Sequence, residues 1–150
     1  MRRGLVKAAA VLGLTLALSI VLGALAPAAR ADWAPRRDFA AWMNRARTSR
    51  GTVALDRVYV LRKMADEHSR DMARAGRIFH TSNLTTQLRV VSWSVAGENV
   101  GAGVELRTLY EAFMDSAPHR ANILERSFRR VGIGVYREDG VIWITLLFVG

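Results

Sequence analysis

The chain opens with an almost uninterrupted apolar run from Ala8 to Ala26, and only afterwards do apolar residues recur at regular intervals. Arg2, Arg3 and Lys7 precede the run, and Pro27 and the small-residue triplet Ala29-Arg30-Ala31 follow it. Basic, apolar and small-residue regions in that order predict a secretory signal peptide over residues 1–31. Left uncleaved, the same stretch would serve as a membrane anchor, since a helix rising about 1.5 Å per residue would here nearly cross a hydrocarbon core ~30 Å thick. Residues 32–38, with Pro35 and Arg36-Arg37, read as a polar linker. Phe39, Trp42, Met43 and Ala46 then fall at i, i+3, i+4 and i+7, which predicts a helix capped by Asp38. A longer stripe, Val58, Leu61, Ala65, His68, Met72 and Ala75, predicts a second helix from an Asp56 cap to Gly76. On that stripe His68 points inward and reads as a satisfied core histidine, while Arg57, Arg62, Lys63, Asp66 and Arg70 turn away.

Residues 77–103 carry few helix signals. Phe79 to Asn83 is turn-rich, and Gly97, Gly101 and Gly103 bracket Glu98-Asn99-Val100, as tight turns would to hold a carboxylate in place. A third helix is expected from Glu105 to Asp115, with Leu106, Leu109, Tyr110 and Phe113 inward. A short fourth follows to Leu124, with Ser116 as cap and Pro118 in its first turn. The period then falls to two: Val131, Ile133 and Val135 alternate with Gly132, Gly134 and Tyr136. Asp139-Gly140 marks a hairpin turn, and Val141 to Val149 reads as a strand buried on both faces. Helices first and an antiparallel hairpin last make an α+β fold.

Composition narrows the class. Of 150 residues, 119 remain after the signal, enough for one domain with a core. The formal charge of +9 falls to +5 once Arg2, Arg3, Lys7 and Arg30 leave, with 18 bases against 13 acids. These bases are scattered, without the aromatic-interleaved basic stripe of a nucleic-acid binder, so no nucleic-acid partner is expected. Anionic wall polymers or lipid headgroups remain as weak partners. No cysteine is present, which excludes disulfides and thiolate chemistry. A monomer is expected.

Titratable residues in turns supply the candidate chemistry: His80, Glu98 and His119, with Asn99 beside the glutamate. Ser69, Ser82 and Ser116 each lie near a histidine in sequence, which does not by itself give the nucleophile, base and orienting group that acyl transfer needs.

Four segments in order, His68-Ser69-Arg70-Asp71-Met72-Ala73, Phe79-His80-Thr81-Ser82, Gly97-Glu98-Asn99-Val100 and Ser116-Ala117-Pro118-His119-Arg120-Ala121-Asn122-Ile123-Leu124, resemble the CAP superfamily. This is the group of cysteine-rich secretory, antigen 5 and pathogenesis-related-1 proteins with an SCP-like extracellular domain, and the likeness is to its cysteine-free bacterial branch. Val131 to Val135 resembles the family's hairpin, so the similarity covers about residues 39–150. It implies a three-layer α-β-α sandwich with an antiparallel sheet and a cleft lined by His80, Glu98 and His119. Where many relatives carry a second glutamate, this chain reads Phe113-Met114-Asp115-Ser116, leaving Asp115 or Glu111 as substitutes. The glutamine often found in the last strand is missing, since Leu146 follows Thr145. Arg120 and Asn122 read as structural, and Trp93 and Trp143 as core or cleft wall.

Two imidazoles and a carboxylate are a competent set for Zn²⁺ or another divalent cation, and equally a hydrogen-bonded polar cleft in which Glu98 fixes a histidine tautomer. Three functions follow. One is a secreted, non-catalytic binding module for a lipid, sterol-like molecule, peptide or cell-wall fragment. Another is a metal-dependent hydrolase of peptide or wall material, with Glu98 as base. The last is a structural or host-facing surface protein. The expected location is extracellular or in the cell envelope, with a membrane partner only if the apolar run is not cleaved.

Overall fold

The computed structural model describes residues 33–150, so the signal or anchor reading of residues 1–31 lies outside the described residues. Helix α1 spans Trp33–Thr48 and therefore takes in the stretch read as a linker. Pro35 fits the first helical turn, where its missing N–H has no intrahelical partner to lose. Arg36 is buried rather than solvated: its guanidinium donates to Asp66 Oδ1 at 2.6 Å and to the Val135 carbonyl at 3.1 Å. Asp66, expected to face solvent, also accepts from Arg62 at 2.7 Å and from the Val135 N–H at 3.2 Å.

Strand β1, Asp56–Arg57, takes the place of the expected Asp56 cap. Helix α2 starts beyond it at Tyr59 and runs to Ala75, with Val58 at the cap position, no side-chain cap bond, and Gly76 closing it at φ 62°. A one-turn helix α3, Leu84–Gln87, leads through a tight turn into strand β2, Ala96–Gly103. Helices α4, Leu106–Asp115, and α5, Ala117–Leu124, match the expected elements. Strands β3, Arg130–Glu138, and β4, Val141–Val149, form the hairpin, turning through Asp139 and Gly140 at φ 48° and 78°.

The sheet order is β1-β3-β4-β2. Strand β4 pairs antiparallel with both β2 and β3, but β1 pairs parallel with β3, so the sheet is mixed and not purely antiparallel. The long excursion between β1 and β3 supplies the crossover that a parallel pair needs.

Alternation along the strands separates two layers of helix. Val131, Ile133 and Val135 of β3 and Ile142, Ile144, Leu146 and Phe148 of β4 pack with Phe39, Met43, Leu109, Phe113 and Ile123 of α1, α4 and α5. The opposite face meets α2. There a Cβ on Gly132 would stand 2.2 Å from the backbone of Leu61, and one on Gly134 would stand 2.1 Å from that of Ala65. Glycine at both positions lets helix and sheet backbones touch. Trp93 packs beside Leu61, Leu88 and Val149 in a smaller cluster on this side. Among the described residues no helix is long and apolar enough to cross a membrane.

Candidate functional site

Glu98 and Asn99 are neighbours on β2, so the pleat sends them to opposite faces. Among the described residues strand β2 pairs only with β4, which leaves its other side as a sheet edge. The site is built across that edge from both layers.

On the α2 side, Glu98 is 8% exposed and its carboxylate is heavily engaged. Oε2 accepts from the Thr81 N–H at 2.9 Å and meets His80 Nδ1 at 2.8 Å, while Oε1 accepts from the Thr81 hydroxyl at 2.5 Å. The His80 side chain is 66% exposed and has Nε2 left for the cleft. Histidine and threonine thus arrive together from the turn after α2, one ring and one hydroxyl on the same acid.

His68 stands behind this pair. Its Nδ1 is 3.1 Å from Thr145 Oγ1 and 3.8 Å from Glu98 Oε1, and the Ser69 hydroxyl donates to the same Thr145 oxygen at 3.0 Å. The Phe79 ring packs edge-on against it at 5.1 Å. The ring is inward, as the helical stripe predicts, but it is not fully satisfied, because Nε2 is buried without a partner among the described residues. Burial pushes the His68 pKa down, opposed by Glu98 and Asp71 and reinforced by the charge of His80. His68 is thus a core imidazole with a spare nitrogen, placed beside the carboxylate of the candidate site.

From the other layer, α5 supplies His119. Its Nδ1 lies 2.8 Å from Ser116 Oγ, and its ring lies 4.8 Å from that of Phe113. Ser116 thus sits where a cap belongs but spends its hydroxyl on the histidine, with no side-chain cap bond. Burial first, and then the charge of His80, lower the His119 pKa. The charge of His80 is thus felt at His119 although the two come from opposite faces of the sheet.

Asn99 takes a different role from the one its position suggested. It is fully buried, its amide donating to the His119 carbonyl at 2.9 Å and accepting from Asn122 at 2.8 Å. Asn122 also donates to the Glu98 carbonyl at 3.1 Å, so these two amides clamp β2 to α5 and set the spacing of Glu98 and His119. Arg120 donates to the Met114 carbonyl at the end of α4, a cap to that helix. Asp115 is exposed, and no hydrogen bond or ion pair among the described residues ties it to Glu98, His80 or His119. Glu111 pairs with Arg107 at 2.8 Å on the exposed face of α4. Neither stands in for a second cleft glutamate.

Sequence reasoning missed Thr81, Ser116 as a histidine partner, and Thr145. For the first two a signal existed, since each hydroxyl lies within three residues of a histidine in a turn or helix-start segment. For Thr145 only the polar interruption of an otherwise apolar strand was visible.

For a divalent cation, the donor chemistry points to the two imidazoles. His80 and His119 each have Nδ1 tied by a neighbouring oxygen, the arrangement that directs Nε2 of a metal-binding histidine outward. Glu98, already holding three donors, fits the part of His80's orienting acid. Among the described residues no three His, Cys, Asp or Glu side chains are gathered as a ready ligand set.

The profile of the cysteine-rich secretory protein family, CAP, matches residues 30–148. The protein YkwD of Bacillus subtilis is 41% identical over 61 residues, which is 40% of this chain and only 23% of that protein. Among solved structures, an outer surface protein of Borrelia burgdorferi superposes with a TM-score of 0.72 at 17% identity, over 78% of this chain and 92% of that one. An extracellular protein of Bacillus anthracis containing an SCP domain superposes with a TM-score of 0.70 at 24% identity, over 77% of this chain and 40% of that one. At these identities the two structures establish the shared fold, while the profile covers most of the chain: it belongs to the cysteine-rich secretory protein (CAP) family.

Proposed function

We propose that this is an exported, non-catalytic binding module whose His80–Glu98–His119 cleft takes up a small envelope ligand, a lipid, a peptide or a wall fragment, with a divalent cation such as Zn²⁺ assisting. The observation that carries the reading is the pairing at Nδ1: Glu98 holds His80 and Ser116 holds His119, each at 2.8 Å. The acceptor-only carboxylate of Glu98 holds the proton of His80 on Nδ1, Ser116 holds the direction of the His119 ring, and both rings keep Nε2 for a guest. A bound cation would supply Lewis acidity and an anchor for an oxygen of the ligand; the chain's own groups orient the rings and hold the carboxylate charge behind His80.

Binding is favoured over turnover by the arrangement of hydroxyls. Ser116 touches His119, but no acid among the described residues orients that ring, and Ser69 is buried against Thr145. Neither serine has both the base and the orienting group of an activated nucleophile. Export is supported by the relatives named as extracellular or outer-surface proteins and by the order of residues 1–31.

Titration calorimetry with Zn²⁺ tests the reading. Saturable binding is expected, lost in His80→Ala and in His119→Ala, and weakened about tenfold in Ser116→Ala through the freed ring. Wild-type affinity in both histidine variants would overturn the cation's place in the cleft. Cleavage of a peptide or peptidoglycan panel that disappears in His119→Ala would replace the binding module with a hydrolase.

A further inference from the structure

At the end of the sheet where β3 begins and β4 finishes, the loops after α1, before β2 and after α5 come together. Arg47 ties the first to the last through the carbonyls of Val53, Glu125 and Phe128. Arg130 ties in the remaining one, its guanidinium donating to the Ser92 carbonyl. Arg50, Arg89, Arg126 and Arg129 are exposed on these loops, with Arg130 half-buried beside them.

None of these five guanidiniums makes an ion pair among the described residues. Those that are engaged donate to neutral oxygens: Arg50 to the Ala46 carbonyl at 3.0 Å and the Ser49 hydroxyl oxygen at 3.5 Å, Arg129 to the carbonyls of Arg126 and Phe128, and Arg130 to that of Ser92. A neutral acceptor orients a guanidinium and leaves its charge in place. The acidic side chains at this end are Asp56 and Glu125, and the Glu125 carboxylate is turned to the Ser127 N–H and hydroxyl at 2.9 and 2.7 Å. Five bases therefore exceed the acids, and would do so with a carboxylate on Gly150 added. The opposite end is different in kind, with Glu138 and Asp139 at the hairpin turn and Glu105 beyond β2. Beside the arginines, Val53 and Val90 are 53% and 67% exposed.

We propose that this end of the sheet is a docking surface for an anionic phospholipid bilayer, separate from the histidine cleft and independent of residues 1–31. The arginines lie among the headgroup phosphates, which guanidinium groups recognise by directed, charge-assisted hydrogen bonds. Val53 and Val90 reach the boundary of the acyl chains. A bilayer is favoured over a soluble polyanion on two grounds: loops gathered at one end of a domain meet a plane, and exposed valines gain only where apolar surface is within reach.

Vesicles of phosphatidylglycerol and phosphatidylcholine in equal parts are the probe, sedimented with the protein secreted into the medium, since an intact apolar run would enter bilayers by itself. Binding is expected at about 0.05 M salt and should be lost at about 0.5 M, with little binding to phosphatidylcholine alone. Arg89→Glu combined with Arg126→Glu should weaken it at least about tenfold. Neither of these side chains holds a hydrogen bond among the described residues, so the fold loses no tie. Arg74→Glu combined with Arg137→Glu makes the same change in net charge towards the hairpin end and should bind as the wild type does. Val53→Ser combined with Val90→Ser should weaken vesicle binding and leave any binding of soluble polyphosphate unchanged. Equal losses in the two arginine pairs would overturn the surface, and equal binding to phosphatidylcholine alone would overturn the headgroup assignment. Polyphosphate bound as tightly as vesicles, with no effect of the valine pair on either, would replace the bilayer with a soluble polyanion.

Discussion

The two faces of the sheet are held by different means. Against α1, α4 and α5 the sheet presents a continuous layer of valine, isoleucine, leucine and phenylalanine, tightened by the edge-on contacts of Phe39 with Tyr110 and Phe113 at 5.6 and 6.1 Å. Against α2 the fully buried apolar cluster is much smaller, and its place is taken by backbone contact through Gly132 and Gly134 and by the polar set His68, Ser69, Thr145 and Glu98. Apolar burial on the first face carries the stability of the domain. The second face can then keep titratable groups in a dry setting, where their charges respond strongly to one another. Strand β2 belongs to both faces, and so one strand joins the apolar side to the titratable one.

Three experiments would break or sharpen that contrast. Phe39→Ala removes a ring that is 0% exposed at the centre of the apolar face and should cost about 4 kcal/mol in urea unfolding. It should leave the NMR signals of the His68 and His80 rings in place, since those rings lie on the other side of the sheet. Gly134→Ala should cost about 3 kcal/mol, the upper end for one added methyl, because that methyl meets the α2 backbone and not a movable side chain. It should shift the His68 signals, since α2 has to lift. A pair of variants with the reverse pattern, stability lost without disturbance in Gly134→Ala and disturbance in Phe39→Ala, would refute the division of labour.

Acid should produce the smallest effect. His68 and His119 are both held below the ordinary imidazole value of 6.5, by burial first. In the unfolded chain they protonate more readily, so the stability they contribute is complete above that value and is lost as pH falls through the lower folded-state values. The urea midpoint should therefore drop on going from about pH 7 to about pH 5, and His68→Gln should flatten part of the slope. A midpoint that held level or rose on acidification would show that burial of these two rings does not oppose their protonation.

Period and turn chemistry made much of this fold legible. The stripe from Leu61 to Met72, the inward residues of α4 and the Asp139-Gly140 hairpin could all be read directly, because each repeats a spacing dictated by its backbone. Strand β2 could not. Gly97, Gly101 and Gly103 look like turn residues, yet they are strand positions whose missing Cβ atoms make room for Phe128, Phe113 and Leu109. A similar failure hid the start of α1, where Pro35, Arg36 and Arg37 have the composition of a linker. Burial of Arg36 depends on Asp66, thirty residues away, and no local pattern reports such a pair. For the candidate site, motif order pointed to His80, Glu98 and His119. The period of two separates Asn99 from Glu98, but it could be applied only once that segment was known to be a strand.

One buried side chain decides which of these ties outlasts a change of surroundings. Arg47 is 0% exposed and donates to the carbonyls of Val53, Ile123, Glu125 and Phe128 at 2.8 to 3.0 Å, joining α1 to the end of α5. Burial and the neighbouring Arg129 lower its pKa, but a guanidinium is so strong a base that it stays charged in ordinary solution. Its partners are amide oxygens, which neither titrate nor attract competing cations as a surface carboxylate does. Brine and mild acid, which weaken exposed ion pairs and charge imidazoles, leave this clasp closed. For a domain proposed to act outside the controlled interior of a cell, the wall carrying His119 is fastened by the one kind of charged contact that weather does not loosen.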